Sequence, residues 1–267
     1  MVEKDSIIKV AVVGNTRLTL KGLAALRVMP SISLEVVLGL NEKSIIKKVN
    51  SVSLDNFFDS YDCTKAPKLI KSDDWDLFYK ICTDKKVDLI ITLGDSRIIP
   101  EYIINSFDVI GNHGAVLPDV QGGASLVWGR MLNIGEWGVS IMEIDKKIDS
   151  GRILKVKKFN YNSDCSELEF TERCDDLTIE ALQDVLDGNY VPQENTKWDV
   201  KINKHTDSFH AVNVLSNSLS NGLNVYMPPR TPKDSLINDD WSDDFKKIFK
   251  IANNSPYPKW LETPQIE

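Results

Sequence analysis

His113 is the residue whose surroundings most invite chemistry. It stands in GNHGAVLPDVQGG (residues 111–123), where a short apolar run ends and glycines flank the turn. An imidazole changes charge near neutral pH, so at such a point it can move a proton or stabilise an oxyanion. Nearby glycines let a ligand approach main-chain atoms closely. The only other histidines are His205 and His210, so histidine chemistry has few alternative locations. A second polar concentration is IDKKIDSGRIL (residues 144–154), where Asp145 and Asp149 occupy a loop that turns at Ser150 and Gly151. Alone, these carboxylates read as a solvated acidic turn. If Asp149 faces His113, it orients the ring and stabilises its cationic form; spacing leaves the two readings open. Cys63, Cys82, Cys165 and Cys174 lie far apart with no C-x-x-C pair, so they are expected to be reduced structural thiols, and no metal site is expected.

These residues need elements to position them. Residues 9–14 (KVAVVG), 34–38, 87–93 (VDLIITL), 107–112 and 139–144 (VSIMEI) are short apolar runs of the kind that form buried parallel strands. Residues 19–28 carry Leu20, Leu23, Ala24 and Val28 at helical spacing and stop before Pro30. Residues 73–82 place Trp75, Phe78 and Cys82 on one helical side, with Ser72 or Asp73 as cap. Residues 152–159 alternate through Ile153, Leu154, Val156 and Phe159, as an antiparallel or edge strand does. Residues 163–186 read as a helix striped by Leu168, Cys174, Leu177, Ala181 and Val185 and closed by Gly188. The expected class is α/β: a Rossmann-like, mostly parallel sheet with helices on both faces. In such sheets ligands bind beyond the carboxyl ends of the strands, which directs attention to the loops after Leu93, Asn112 and Ile144. No G-x-G-x-x-G follows Gly14, so the dinucleotide reading is weak.

Two regions are expected: a catalytic domain over residues 1–188, and a small C-terminal α/β appendage over 189–267. The latter holds a polar insertion or mobile loop (193–224), a proline-punctuated stretch (227–237), a short helix (242–252) and SPYPKW (255–260). Acidic residues outnumber basic ones 39 to 32, for a net charge of -7, which argues against a nucleic-acid partner. No apolar segment is long enough for a signal peptide or a membrane span, so a cytoplasmic protein with no membrane partner is expected.

The order H-G-x-x-L-P, x-G-G-x-x-x-x-W and D-x-x-x-D-S-G-x-I-L resembles the 10-formyltetrahydrofolate-dependent formyltransferase family. The resemblance covers residues 87–160 closely and the Rossmann-like start loosely. RTPKDSLI (230–237) and SPYP (255–258) are similar to elements that follow the core in the tRNA and sugar branches. The resemblance implies that His113 and Asp149 are catalytic, with Asn112 as the catalytic asparagine. It further implies that Ser96, Arg97, Ile98, Ile99, Leu117, Pro118, Asp145 and Ile148 border the co-substrate N10-formyltetrahydrofolate, with no metal required. Two departures stand out. The family's asparagine is two residues before the histidine, where this chain has Gly111, so Asn112 can serve only if the strand ends in a bulge or turn. Gln121 replaces a frequent arginine. A tRNA-acting member would carry a further barrel-like domain and a basic surface, so the resemblance points to the sugar-nucleotide N-formyltransferase branch. The acceptor it implies is a dTDP-4-amino-4,6-dideoxyhexose of the kind used in O-antigen biosynthesis, with Trp128, Tyr226, Trp241 and Tyr257 as candidates to meet the base. The alternatives are another small amine such as glycinamide ribonucleotide, or a formyltetrahydrofolate hydrolase. A homodimer is compatible with this reading.

Overall fold

Strand β1 (Ile8–Val13) is fully buried from Val10 onward, which is why its sequence is apolar at consecutive positions instead of alternating. It belongs to the computed structural model, which describes residues 7–45, 51–60, 66–204 and 206–254. Cys63, His205, Tyr257 and the 255–260 stretch lie outside the described residues. Two compact units result: Met1–Asn112 with Glu143–Lys146, and His113–Met142 with Lys147–Glu267.

The first unit contains, in order, β1, α1 (Arg17–Arg27), β2 (Ile32–Gly39), the short α2 (Glu42–Ile45) and α3 (Asp55–Asp59), β3 (Lys68–Lys71), α4 (Trp75–Lys85), β4 (Leu89–Thr92), α5 (Glu101–Ile104) and β5 (Asp108–His113, whose last residue falls in the second unit). The strands lie side by side as β3-β2-β1-β4-β5, all parallel. Helix α1 starts where Thr16 and Thr19 form a reciprocal cap, and α4 starts at Asp74, whose carboxylate accepts from the Leu77 N–H. The cap of α4 is therefore one residue beyond the two expected positions; Ser72 instead accepts from the Asp74 N–H. Ala11, Val13, Val36 and Leu38 pack with Phe78 and Cys82 of α4 and with Ile103, so the predicted Trp75–Phe78–Cys82 face does meet a core.

The second unit contains β6 (Val120–Gly122), α6 (Ser125–Leu132), β7 (Glu136–Glu143), β8 (Ile153–Asn160), α7 (Glu167–Leu186), β9 (Val200–Lys201), α8 (Ser208–Ser220), β10 (Val225–Met227) and α9 (Asp243–Ala252). Strands β7 and β8 pair antiparallel. A second small parallel sheet runs β6-β10-β9. Its core joins Trp128, Trp137, Phe170, Leu177, Leu215 and Phe249.

Two expectations need correcting here. Residues 193–224 are not a structureless insertion: they contain β9 and α8, the latter capped by Asp207 and buried along Ala211, Val212 and Leu215. Helix α7 begins at Glu167, because the Ser166–Glu169 capping box defines its start, and the preceding loop supplies the Ser163 and Cys165 carbonyls to Arg130. Strand β10 pairs with β6, so residues 225–227 lie in the same compact unit as residues 120–122. Among the described residues no helix is long and apolar enough to cross a membrane, and no cluster of His, Cys, Asp and Glu is arranged to hold a metal.

Candidate active site

In the first unit, β5 carries Asn112 to the strand end. The Gly94 N–H donates to its Oδ1 at 2.9 Å, which fixes the amide orientation and leaves the NH2 group without a hydrogen bond among the described residues. The β4–β5 register runs evenly to Thr92–Gly111, with no bulge there. Asn112 and His113 both belong to β5, where consecutive residues point to opposite faces. Gly111 has its own reason to lack a side chain: a Cβ there would run into Thr92 Oγ1 and lie 2.7 Å from Ile144 Cδ1. Gly111→Asn, which would restore the family's usual spacing, is expected to destabilise the protein by about 1–3 kcal/mol. Chemical unfolding of the two proteins measures this.

The loop after β4 is held by Arg97. Its guanidinium bonds both oxygens of Asp95, the Leu38 and Gly39 carbonyls and Asp73 Oδ1, and lies 5.4 Å from the Trp75 ring centroid. All three nitrogens are engaged, so the side chain braces the end of β2 against the loop. Ile99 is buried beneath, whereas Ser96 is exposed and Ile98 is 81% exposed. Asp145, also exposed, accepts from the Lys146 N–H.

In the second unit, His113 is buried and its two ring nitrogens meet different groups. Nε2 donates to the Val120 carbonyl at 2.9 Å, and Nδ1 stands 3.5 Å from Asp149 Oδ1. A carbonyl can only accept, so Nε2 carries a proton. In the doubly protonated ring both N–H groups face acceptors. The Nδ1 contact is longer than a strong hydrogen bond, so Nδ1–H is the donor more readily exchanged for a substrate oxygen. Asp149 has φ 50, a left-handed conformation that aspartate adopts more readily than most residues. Its Oδ2 accepts from the Gly122 N–H at 2.8 Å. Gly122 has φ 100, and a Cβ there would strike the Met227 carbonyl, so only glycine lets β6 lie this close to β10.

The segment after His113 is equally constrained. Ser140 Oγ donates to the Ala115 carbonyl and accepts from the Leu117 N–H, and Trp137 Nε1 donates to the Gly114 carbonyl. Leu117 is buried and joined by a cis peptide to the half-exposed Pro118. Ile148 is 63% exposed.

Of the aromatic candidates, Trp128 and Trp241 prove to be core. Trp128 is 2% exposed, donates to the Pro228 carbonyl and lies under Arg230, and Trp241 donates to Asp207. Arg230, from the RTPKDSLI stretch, is a half-buried structural cation whose pKa desolvation pushes down to about 10. Tyr226 is half-exposed, and its ring centroid lies 6.0 Å from that of Trp198. Lys201 lies 5.5 Å from the Tyr226 centroid and 5.7 Å from that of Trp198, and Lys197 lies 4.6 Å from Trp198. The sequence reading missed Trp198, although KWDVK, an aromatic framed by two lysines, was there to notice.

Residues 76–186 match the family model for formyl transferase. A methionyl-tRNA formyltransferase from Dictyoglomus thermophilum is 27% identical over 188 residues, which cover 68% of this chain and 52% of that protein. The chain thus spans about half the length of the curated relatives it matches. A sugar N-formyltransferase from a Shewanella species superposes with a TM-score of 0.65 at 15% identity, covering 97% of this chain and 94% of the other. An N-formyltransferase from Helicobacter canadensis, in complex with folinic acid and dTDP-3-aminofucose, gives 0.59 at 15% identity, covering 92% and 80%. The α/β fold with a mostly parallel sheet is that of these solved formyltransferases.

Proposed function

We propose that this chain transfers a formyl group from N10-formyltetrahydrofolate to the amine of a sugar nucleotide. The observation that carries the transfer step is the pairing of His113 with Asp149 at 3.5 Å, inside the stretch matched by the formyl transferase model. Attack of a neutral amine on a formyl carbon puts negative charge on the formyl oxygen and leaves a proton to be removed from the amine. His113, held by the Val120 carbonyl and facing a carboxylate, supplies positive charge and a donor for that oxygen. Asp149 stabilises the cationic ring and accepts the amine proton, directly or through water. For the folate, the resemblance to formyltransferases assigns Ser96, Ile98 and Asp145 of the first unit and Leu117, Pro118 and Ile148 of the second, Ile98 and Ile148 being exposed aliphatic side chains. Ile99 and Arg97 support this loop from below and behind.

The acceptor class follows from Trp198 and Tyr226 with Lys197 and Lys201. Aromatic faces stack on a base and ammonium groups neutralise a diphosphate, and this cationic cluster sits on a chain with a net charge of -7. The dTDP-3-aminofucose held by the Helicobacter canadensis protein makes amino-deoxyhexoses on a nucleoside diphosphate the first class to test. A second reading, Met-tRNA as acceptor, is favoured by the names of the sequence relatives. The acidic surplus weighs against it. Incubation with the formyl donor alone, with a dTDP-amino-deoxyhexose, or with Met-tRNA is expected to release tetrahydrofolate only with the sugar nucleotide. Release with donor alone identifies a hydrolase, and release only with Met-tRNA overturns the acceptor assignment.

A further inference from the structure

We propose that Gln121 and Asn195 are positioning residues that hold Asp149 in the conformation presenting its carboxylate to His113. The inference rests on the role assigned above to Asp149. An aspartate at φ 50 stays there only if its surroundings fix it, and a single side-chain amide spans this turn. Asn195 Nδ2 donates to the Asp149 carbonyl at 2.9 Å and to the Gly151 carbonyl at 3.1 Å. Its Oδ1 accepts from Gln121 Nε2 at 3.3 Å, and the same nitrogen donates to the Thr196 carbonyl at 2.7 Å. Both amide orientations are thereby determined, because each NH2 group faces carbonyl oxygens that can only accept. The strand-like pairing of Gln193 with Ile153, by two backbone bonds of 2.8 Å, lays this segment alongside the turn.

Strand β6 thus acts through three consecutive residues. The Val120 carbonyl fixes His113, the Gly122 N–H fixes the Asp149 carboxylate, and the buried side chain of Gln121, through Asn195, fixes the Asp149 main chain. Without the third hold the turn at 149–151 loses both of its carbonyl partners and is free to leave the left-handed region. The carboxylate then swings off Gly122 and His113. This gives Gln121, the position where a family arginine is absent, a task of its own in this chain.

The test pairs kinetics with a readout that needs no catalysis. In Asn195→Ala and the near-isosteric Asn195→Asp, kcat is expected to fall about 10- to 100-fold. KM for donor and acceptor is expected to stay within about twofold, since neither ligand loses a contact. Amide hydrogen exchange at Gly122 should accelerate about tenfold as its carboxylate acceptor departs, while the Val225 amide, which donates to the Asp119 carbonyl, is unaffected. Gln121→Glu, which keeps the shape and turns the donor into an acceptor, serves where an Asn195 variant does not fold and should act in the same direction. Wild-type protection at Gly122 in these variants overturns the proposal. Accelerated exchange with unchanged kcat upholds the clamp and instead overturns the catalytic role of Asp149. Accelerated exchange with reduced kcat supports both.

Discussion

Replacing His113 by alanine, or Asp149 by asparagine, is expected to reduce formyl transfer by about 100- to 1000-fold, the scale on which a lost oxyanion donor is felt. The two substitutions probe different halves of one device. His113→Ala removes the cation and both ring N–H groups, and leaves the Val120 carbonyl without its 2.9 Å partner inside the protein. That unpaired carbonyl costs about 1–3 kcal/mol of stability. Asp149→Asn is the cleaner experiment. The amide oxygen still accepts from the Gly122 N–H and the backbone bond from Asn195 is untouched, so the turn keeps its shape while the charge opposite Nδ1 disappears. Because that charge acts when the amine loses its proton, the loss should fall on kcat, with KM for the folate and the acceptor little changed. Circular dichroism establishes that both variants are folded, and single-turnover measurement of tetrahydrofolate release reads the chemical step. Wild-type turnover in Asp149→Asn would remove the carboxylate from the mechanism and with it the reason to read this pair as catalytic.

How much of this was legible in the sequence depends on what each feature's cause looks like in one dimension. Strands β1 and β4 were readable because burial on both faces forces apolar residues at consecutive positions, as in Val10–Val13. Helix α8 was not, because its stripe of Ala211, Val212 and Leu215 is narrow and diluted by Ser208, Asn213, Ser216 and Asn217, which mimic the composition of a loop. The start of α7 was available in the S-x-x-E pattern at Ser166 and Glu169. For the site, residue type betrayed His113 and Asp149, but their immediate partners are main-chain atoms of Val120 and Gly122, which any residue possesses. Asn195 lies 46 residues beyond Asp149, and only the fold brings it there. Thr92 and Ile144 fill the space where a side chain at position 111 would go.

Glu167 yields the other large expected effect, and it concerns stability. This carboxyl is the first residue of α7 and is almost fully buried. A helix N-terminus ordinarily favours a carboxylate. Here desolvation outweighs that field: burial raises the pKa to about 9, with the Thr171 hydroxyl and the nearby Arg130 charge pulling the other way. The opposing pulls are weak for identifiable reasons. Thr171 donates a single 3.2 Å bond to Oε1, Oε2 has no hydrogen-bond partner among the described residues, and Arg130 directs its guanidinium to the Ser163 and Cys165 carbonyls and Asn133. The unfolded chain releases this proton near the ordinary glutamate value of 4.5, the folded chain only near 9. Between those values the native state binds one more proton than the unfolded state, so stability falls as pH rises. The contribution is intact below about 4.5 and fully lost above about 9. The limiting slope is about 1.4 kcal/mol per pH unit. Glu167→Gln keeps an acceptor for Thr171 and cannot ionise, so it should be more stable than the wild type, by a margin that widens by about 3 kcal/mol between pH 5.5 and pH 8. Thermal unfolding at the two pH values reads this as a Tm gap that grows by several degrees, at about 2–4 °C per kcal/mol for a chain of this size. Parallel pH profiles for the two proteins would mean that Glu167 stays ionised in the fold, and that the helix terminus and Arg130 solvate it better than burial penalises it.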